Sequence, residues 1–285
     1  MFSARMCTKN QLSAYTYWPL ISFVKRAKRL HVLIAAFLAC LLSFCRPSQV
    51  SFRQNQAHGV ISFSLYGTDP RYLDGAKANS LLYKYVYKGW NMRVYYDNTV
   101  PLYMIQELKI RGVELVNMTG STVNKMSWRF LAISDPTVQR ACIRDIDSRL
   151  ILRDAVSVEA WIASGKDFHV IRDHPSHMRF AMSGGMWCAR ATVISNLESM
   201  LEQAKVGHDY LQDMNFLNSY VWPVAQKSVL QHDSFSCRKY GADGFVVPRV
   251  GMEHIGSVFL DGEMREADVV LLREAIQRGD GAECV

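Results

Sequence analysis

The first 46 residues of this 285-residue chain contain no aspartate and no glutamate. They hold seven basic residues, Arg5, Lys9, Lys25, Arg26, Lys28, Arg29 and Arg46, which equals the net charge of +7 of the whole chain. Residues 47–285 are therefore balanced, with 26 basic and 26 acidic side chains. The sequence pI of about 9.0 belongs to the N-terminus alone, which removes the broad basic surface that would argue for nucleic acid. No C-x-x-C pair occurs among the 7 cysteines, at positions 7, 40, 45, 142, 188, 237 and 284, so zinc-ribbon and thioredoxin-like chemistry lack their ligands. Internal repeats and low-complexity tracts are absent too. Strongly apolar runs are missing except for one, Val32 to Cys45, which follows the basic stretch Lys25-Arg26-Ala27-Lys28-Arg29.

A helix from Leu30 to Cys45 would span roughly 24 Å at 1.5 Å per residue, short of the ~30 Å hydrocarbon core. That length suits a thin early-secretory membrane, and the basic flank would stay cytoplasmic. The expected order is a cytoplasmic tail at 1–29, a signal-anchor transmembrane helix at 30–46, a polar stem at 47–58 and a luminal domain at 59–285. A cleavable signal peptide with a long basic leader is the competing reading, and a buried soluble helix is a third. Four cysteines fall in the expected luminal body, where disulfides are permitted. Asn117-Met118-Thr119 is an N-glycosylation sequon.

From Gly59 the pattern alternates strands and helices. Strands are predicted at Val60–Leu65, Met92–Tyr96, Val113–Val116, Arg140–Arg144, Phe168–Ile171 and Val229–Ser234. Helices are predicted at 74–88, 101–111, 125–134, 153–164 and 209–221. This order argues for an α/β fold, a mostly parallel sheet with helices on both faces. In such sheets ligands sit outside the carboxyl ends of the strands.

That is where Arg144-Asp145-Ile146-Asp147-Ser148-Arg149 falls. Residues i and i+2 of a strand share a face, so both carboxylates can reach one site. Hard oxygen ligands of this kind suit Mg²⁺ or Mn²⁺, and flanking arginines would hold an anion. The plain alternative is a solvated acidic turn. Tyr66-Gly67 and Asp97 fall at the ends of the first two strands. Ser183-Gly184-Gly185-Met186-Trp187 combines glycines that admit close backbone approach with an apolar ring for a sugar. The helix predicted at 209–221 carries Asp213 near its start, with Phe216 and Leu217, and Asp213 reads as an acceptor-binding carboxylate, a general base or a helix-dipole partner. His174 and His177 are candidate ligands, with a hydrogen-bonded loop as the plainer reading. His232 is a candidate third metal ligand or diphosphate contact, and His254 a second of that kind.

Taken in order, these parts resemble GT-A-fold glycosyltransferases, over Val60 to Phe259. The matching pieces are Ser64-Leu65-Tyr66-Gly67, Asp97, the aspartate pair, Gly184 to Trp187, Asp213 to Leu217, and a late histidine. The resemblance implies a Rossmann-type sandwich and transfer of a sugar from a UDP- or GDP-sugar to a glycan, protein or lipid acceptor. It implies that Asp145 and Asp147 bind Mn²⁺ or Mg²⁺ with the donor diphosphate, and that Asp213 is the catalytic base. It also implies donor contacts from Tyr66, Gly67, Asp97, Arg144 and Arg149, acceptor contacts from Gly184, Gly185 and Trp187, and type II anchoring in the Golgi or endoplasmic reticulum. Met214 stands where the family has Gln. A haloacid-dehalogenase-type phosphatase fits less well, because Arg149 occupies the Thr or Val position of that motif. A non-catalytic, membrane-anchored binding protein on a degenerate transferase fold is the remaining alternative.

Overall fold

The computed structural model describes residues 59–204 and 211–284. The expected tail, membrane helix and stem lie outside the described residues, as does the start of the helix predicted from Asp209. Among the described residues no helix is long and apolar enough to cross a membrane.

Strand β1 (Gly59–Leu65) has all seven residues buried, as a strand with neighbours on both edges and helices on both faces requires. Helix α1 (Pro70–Val86) starts four residues before the periodic pattern, because Asp69 caps it by accepting the Arg71 N–H at 2.9 Å and Pro70 occupies the first turn. Then follow β2 (Trp90–Tyr96), α2 (Leu102–Ile110), β3 (Glu114–Asn117), a 3-10 segment (Lys125–Ile133), β4 (Arg140–Ile143), α3 (Leu152–Ser164) and β5 (Phe168–Arg172). The second half holds β6 (Trp187–Arg190), α4 (Leu197–Gln203), α5 (Gln212–Phe216), a π-helical turn (Leu217–Val221), α6 (Trp222–Ala225) and β7 (Val229–Asp233). A short helix α7 (Cys237–Tyr240), the hairpin β8 (Phe259–Leu260) and β9 (Glu263–Met264), and helix α8 (Glu266–Gln277) complete it.

The seven-stranded sheet runs β3-β2-β1-β4-β6-β5-β7. All pairings are parallel except those of β6, which is antiparallel to both β4 and β5. The chain leaves β1 toward β2 on one side, and β4 returns on the other, so the sheet has a switch point between β1 and β4. Residues of β1 divide between two cores. Ile61, Phe63 and Leu65 pack in the core of α1, α2 and α3, while Val60 belongs to the core of the 3-10 segment, Leu197 and Leu201 of α4, and Phe216 to Ala225. Two disulfides, Cys142–Cys188 and Cys237–Cys284, join the four cysteines of the described body. The first links directly opposed residues of β4 and β6.

Candidate active site at the switch point

A cleft of about 470 Å³ opens where β1 and β4 end, as expected for a topological switch point. Its wall includes Tyr66, Asp145, Asp147, Gly184, Gly185 and Asp213. Six other residues singled out from the sequence, Gly67, Asp97, Arg144, Arg149, Trp187 and His232, are not in that wall.

The carboxylates sit in a turn after β4 rather than in the strand. The Ser148 N–H and Oγ both donate to the Asp145 carbonyl, at 3.2 and 2.7 Å. Buried Asn79 of α1 clamps this turn. Its Nδ2 donates to the Ile146 and Ser148 carbonyls at 3.2 and 2.9 Å, and its Oδ1 accepts the Leu150 N–H at 3.1 Å. Gly75 of α1 lets the helix approach, since a Cβ there would overlap the Ile146 carbonyl. Within the turn Asp147 lies 3.5 Å from Arg71. Burial, and then the charge of Asp145, push the Asp147 carboxyl up to about 6.

Arg129 joins the site together. Its backbone is fixed across β1, with its N–H on Ser64 Oγ at 3.0 Å and its carbonyl accepting Ser62 Oγ at 2.7 Å. Its guanidinium donates through Nη1 to Asp145 Oδ1 and through Nη2 to Asp213 Oδ2, the latter at 3.1 Å. Sequence reading passed over Arg129. The available signal was a lone arginine inside the apolar stretch Trp128 to Ile133, where a buried cation demands an acidic partner.

Gly184 and Gly185 lie beneath both carboxylates. A Cβ on Gly184 would stand 2.5 Å from Asp213 Oδ2 and 2.6 Å from Arg129 Nη2, and one on Gly185 would overlap the Asp145 carboxylate. Asp213 is in the first turn of α5. Asn218, on the same helical stretch, exchanges two hydrogen bonds with Met182, Nδ2 to the carbonyl at 2.8 Å and Oδ1 from the N–H at 3.0 Å. This fixes Asp213 beside Gly184. The stretch widens into its π-helical turn just before Pro223, which lacks an N–H and crowds the preceding turn.

Several sequence-based assignments are corrected. Trp187 is the first residue of β6, fully buried and edge-on to Phe130 at 5.6 Å, so it cannot stack on a sugar. Arg144 turns into the interior and forks onto Asp154 at 2.8 and 2.7 Å, leaving nothing for a diphosphate. Arg149 covers the Phe259 ring and donates to the Ser148 carbonyl at 3.0 Å. Asp97, at the end of β2, is satisfied by Lys125 at 2.6 Å and by Thr99. Gly67 adopts a left-handed φ of 76° and donates to Thr99 Oγ1 at 2.7 Å, a turn role. His232 lies in β7 with its Nδ1 2.8 Å from His169 Nε2, away from the aspartates.

The histidines that do reach the cleft are His177 and His254. With His174 they form a cluster of rings, His174 and His254 stacked at 4.3 Å and His177 at 5.7 and 6.0 Å from them. Burial and then His174 hold His254 down at about 4, and burial with both neighbours holds His177 well below the usual range, so both are neutral at pH 7. Asp173 holds the His254 loop by accepting the Ile255 N–H at 3.0 Å.

Among the described residues the tight His/Cys/Asp/Glu group is Asp233, Cys237 and Cys284, whose cysteines are bonded to each other and offer no thiolate. The donor set that suits a hard cation is instead Asp145 and Asp147. Burial first, and then the charge of Asp145, raises the Asp147 carboxyl, and a divalent ion would relieve the second of these. Ions of the Mg²⁺ class often take only one or two carboxylates plus substrate phosphates. His254 also lines the cleft, but its ring nitrogens do not gather with these two carboxylates into a three-ligand group.

No family model and no curated protein matches the sequence. Solved structures similar to the chain include a glucosyl-3-phosphoglycerate synthase from Mycobacterium tuberculosis in complex with phosphoglyceric acid, at TM-score 0.38 and 11% identity over 65% of this chain and 74% of that one. The TarS protein of S. aureus aligns at TM-score 0.38 and 12% identity, over 60% of this chain and 57% of its own. A cytidylyltransferase from Leptospira borgpetersenii aligns at TM-score 0.36 and 14% identity, over 78% and 94%. At these scores the likeness is a coarse one of fold, and no residue correspondence is taken from it.

Proposed function

We propose that this chain transfers a glycosyl group from a nucleoside-diphosphate sugar to a hydroxyl acceptor, with a divalent ion held by Asp145 and Asp147. The observation that carries the reading is the convergence of these two carboxylates with Asp213 in one switch-point cleft, Asp145 against Gly185 and Asp213 against Gly184. The ion, Mn²⁺ or Mg²⁺, would neutralise charge on the departing diphosphate. Tyr66 offers a ring face at the nucleoside end, and Arg71 a cation beside Asp147. The acceptor oxygen bonds to the anomeric carbon as the carbon–phosphate-oxygen bond breaks, and Asp213 receives the acceptor proton. Arg129 orients Asp213 and Asp145 together, so acceptor and donor ends share one anchor.

UDP- and GDP-sugars are the donor classes, and a glycan or glycoconjugate is the acceptor. Two disulfides in the described body support an oxidising compartment, in keeping with a luminal domain behind a type II anchor in the Golgi or endoplasmic reticulum. One observation favours the other reading, a non-catalytic binding protein: Arg129 engages both carboxylates that the chemistry needs.

A donor-hydrolysis and transfer screen over nucleotide sugars, with and without Mn²⁺, separates the two. The enzyme reading expects Mn²⁺-dependent turnover that is abolished in Asp147→Asn. In Asp213→Asn transfer should fall by roughly two or more orders of magnitude with donor binding retained. Donor binding without turnover in the wild type would establish the binding protein, and unchanged turnover in Asp147→Asn would remove the carboxylates from the mechanism.

A further inference from the structure

A second pocket, of about 310 Å³, shares no wall residue with the cleft. One side presents Arg153 of α3 and Arg249. Arg153 forks onto Asp173 through Nε and Nη2 at 3.1 and 3.0 Å, and Arg249 Nη2 donates to the same carboxylate at 2.7 Å. Ser234 Oγ donates to it as well, at 2.6 Å. Two guanidinium groups thus share one counter-ion.

The acids nearby do not make up the difference. Asp233 is neutralised by Arg172 at 2.6 Å, Asp280 by Arg278 at 2.9 Å, and Glu283 faces Arg238 at 3.5 Å. His174, His177 and His254 are uncharged. Arg249 Nη1 is moreover buried without a hydrogen-bond partner among the described residues, a costly state for a cationic donor. Burial and the charge of Arg153 lower the Arg249 pKa, against the pull of Asp173.

The facing wall is Phe235, Ile276 and the turn 279–282. Gly279 and Gly281 take left-handed φ values of 76° and 86°, and a Cβ on Gly281 would overlap the Ser234 carbonyl, so the turn closes tightly onto the strand end. The volume equals roughly ten waters at ~30 Å³ each, more than a bare tetrahedral oxyanion fills.

We propose that this pocket binds a small phosphomonoester, its phosphate on Arg249 and Arg153 and its organic part against Phe235 and Ile276. The assignment stands apart from the activity of the cleft. Guanidinium forks match phosphate oxygens in pairs; Arg153 is held by Asp173 and the Val247 carbonyl, so Arg249 is the group that would swing off Asp173 and bring its buried, unpartnered Nη1 to the phosphate. Asp173 ties the two sites together, because it also holds the Ile255 N–H beside His254. A ligand that draws Arg249 from Asp173 therefore acts on the loop framing the cleft, and the coupling is reciprocal.

The test is calorimetric titration of the full chain with inorganic phosphate and with glycerol 3-phosphate, at ionic strength held constant with NaCl. Saturable binding of one equivalent is expected, tighter for the monoester and weakened at least tenfold in Arg249→Gln. Ala282→Glu, on the exposed rim and outside the buried network, should weaken it too, while Arg71→Gln in the cleft leaves it unchanged. No saturable binding, equal binding in the folded Arg249→Gln and Ala282→Glu variants, or loss only in Arg71→Gln would overturn the site. Inorganic phosphate binding as tightly as the monoester would overturn the role given to Phe235 and Ile276.

Discussion

Asp147 carries a residue-scale consequence for stability. Its folded pKa of about 6 lies above the usual 3.8, so between those values the folded state binds a proton that the unfolded state has released. Stability from this group therefore falls as pH rises from about 4 to about 6, and the cost persists above. Asp147→Asn removes that cost. The metal-free variant should be more stable than wild type by up to about 2–3 kcal/mol at pH 7.5 and indistinguishable from it at pH 3.5, measured by denaturant melts. The same titration predicts that Mn²⁺ affinity weakens below about pH 6, since the ion competes with the proton. Gly185 supplies a second case. Gly185→Ala forces Asp145 aside and should cost about 1–3 kcal/mol and at least tenfold in Mn²⁺ affinity by calorimetry. At this scale the sequence pointed to Asp145, Asp147, Asp213, Gly184 and Gly185, which the fold brings to one cleft, and misplaced Gly67, Asp97, Arg144, Arg149, Trp187 and His232, which lie outside its wall. Residue type fixes what a side chain can do, but burial decides whether it meets a ligand, and a tryptophan opening a strand looks the same in sequence as one on a loop.

Among the elements, those with a clear period were legible: β1 to β5, β7 and helices α1 to α3 fall within a few residues of their predicted spans. Strand β6, four residues long, has no alternation to read, and its antiparallel insertion between β4 and β5 is a long-range choice. Helix α8 went unread as well. The clamp from α1 was invisible because Asn79 lies mid-helix, where an asparagine is ordinarily solvated, and only the return of β4 beside β1 gives it three partners. Asn79→Leu keeps the volume and leaves the Ile146 carbonyl and the Leu150 N–H unpaired, while the Ser148 carbonyl keeps only Arg149. It should destabilise the fold by about 2–4 kcal/mol and weaken Mn²⁺ binding, read by thermal melts and calorimetry. Full metal affinity in a destabilised variant would confine Asn79 to folding.

Across the whole molecule, the five described histidines, His169, His174, His177, His232 and His254, all have lowered pKa values with burial as the first cause. Unfolded, each takes up a proton near pH 6.5, so below that value the unfolded state binds more protons and stability falls with falling pH. His254, held at about 4, accounts for up to about 3 kcal/mol of this by itself. Asp147 works in the opposite direction over part of the window and offsets only part of the loss. The melting temperature should therefore drop steeply between pH 6.5 and 4.5, and a flat profile would show that the histidines are hydrated. The α/β class was legible in the sequence because it follows from the order of elements. The histidine cluster was not, because His177 and His254 meet only through tertiary folding.

The bond between Cys142 and Cys188 has a mechanical consequence. Three residues beyond Cys142 stands Asp145, three before Cys188 stands Gly185, and the antiparallel register carried onward sets these two opposite each other. The anion-handling turn and the glycine loop are thus short cantilevers from one covalent rivet, and they travel as a single rigid jaw. The opposite wall, the turn at His174–His177 and the His254 loop, carries no such covalent link and is held instead through the ion-pair network on Asp173, so any opening and closing of the cleft is expected there.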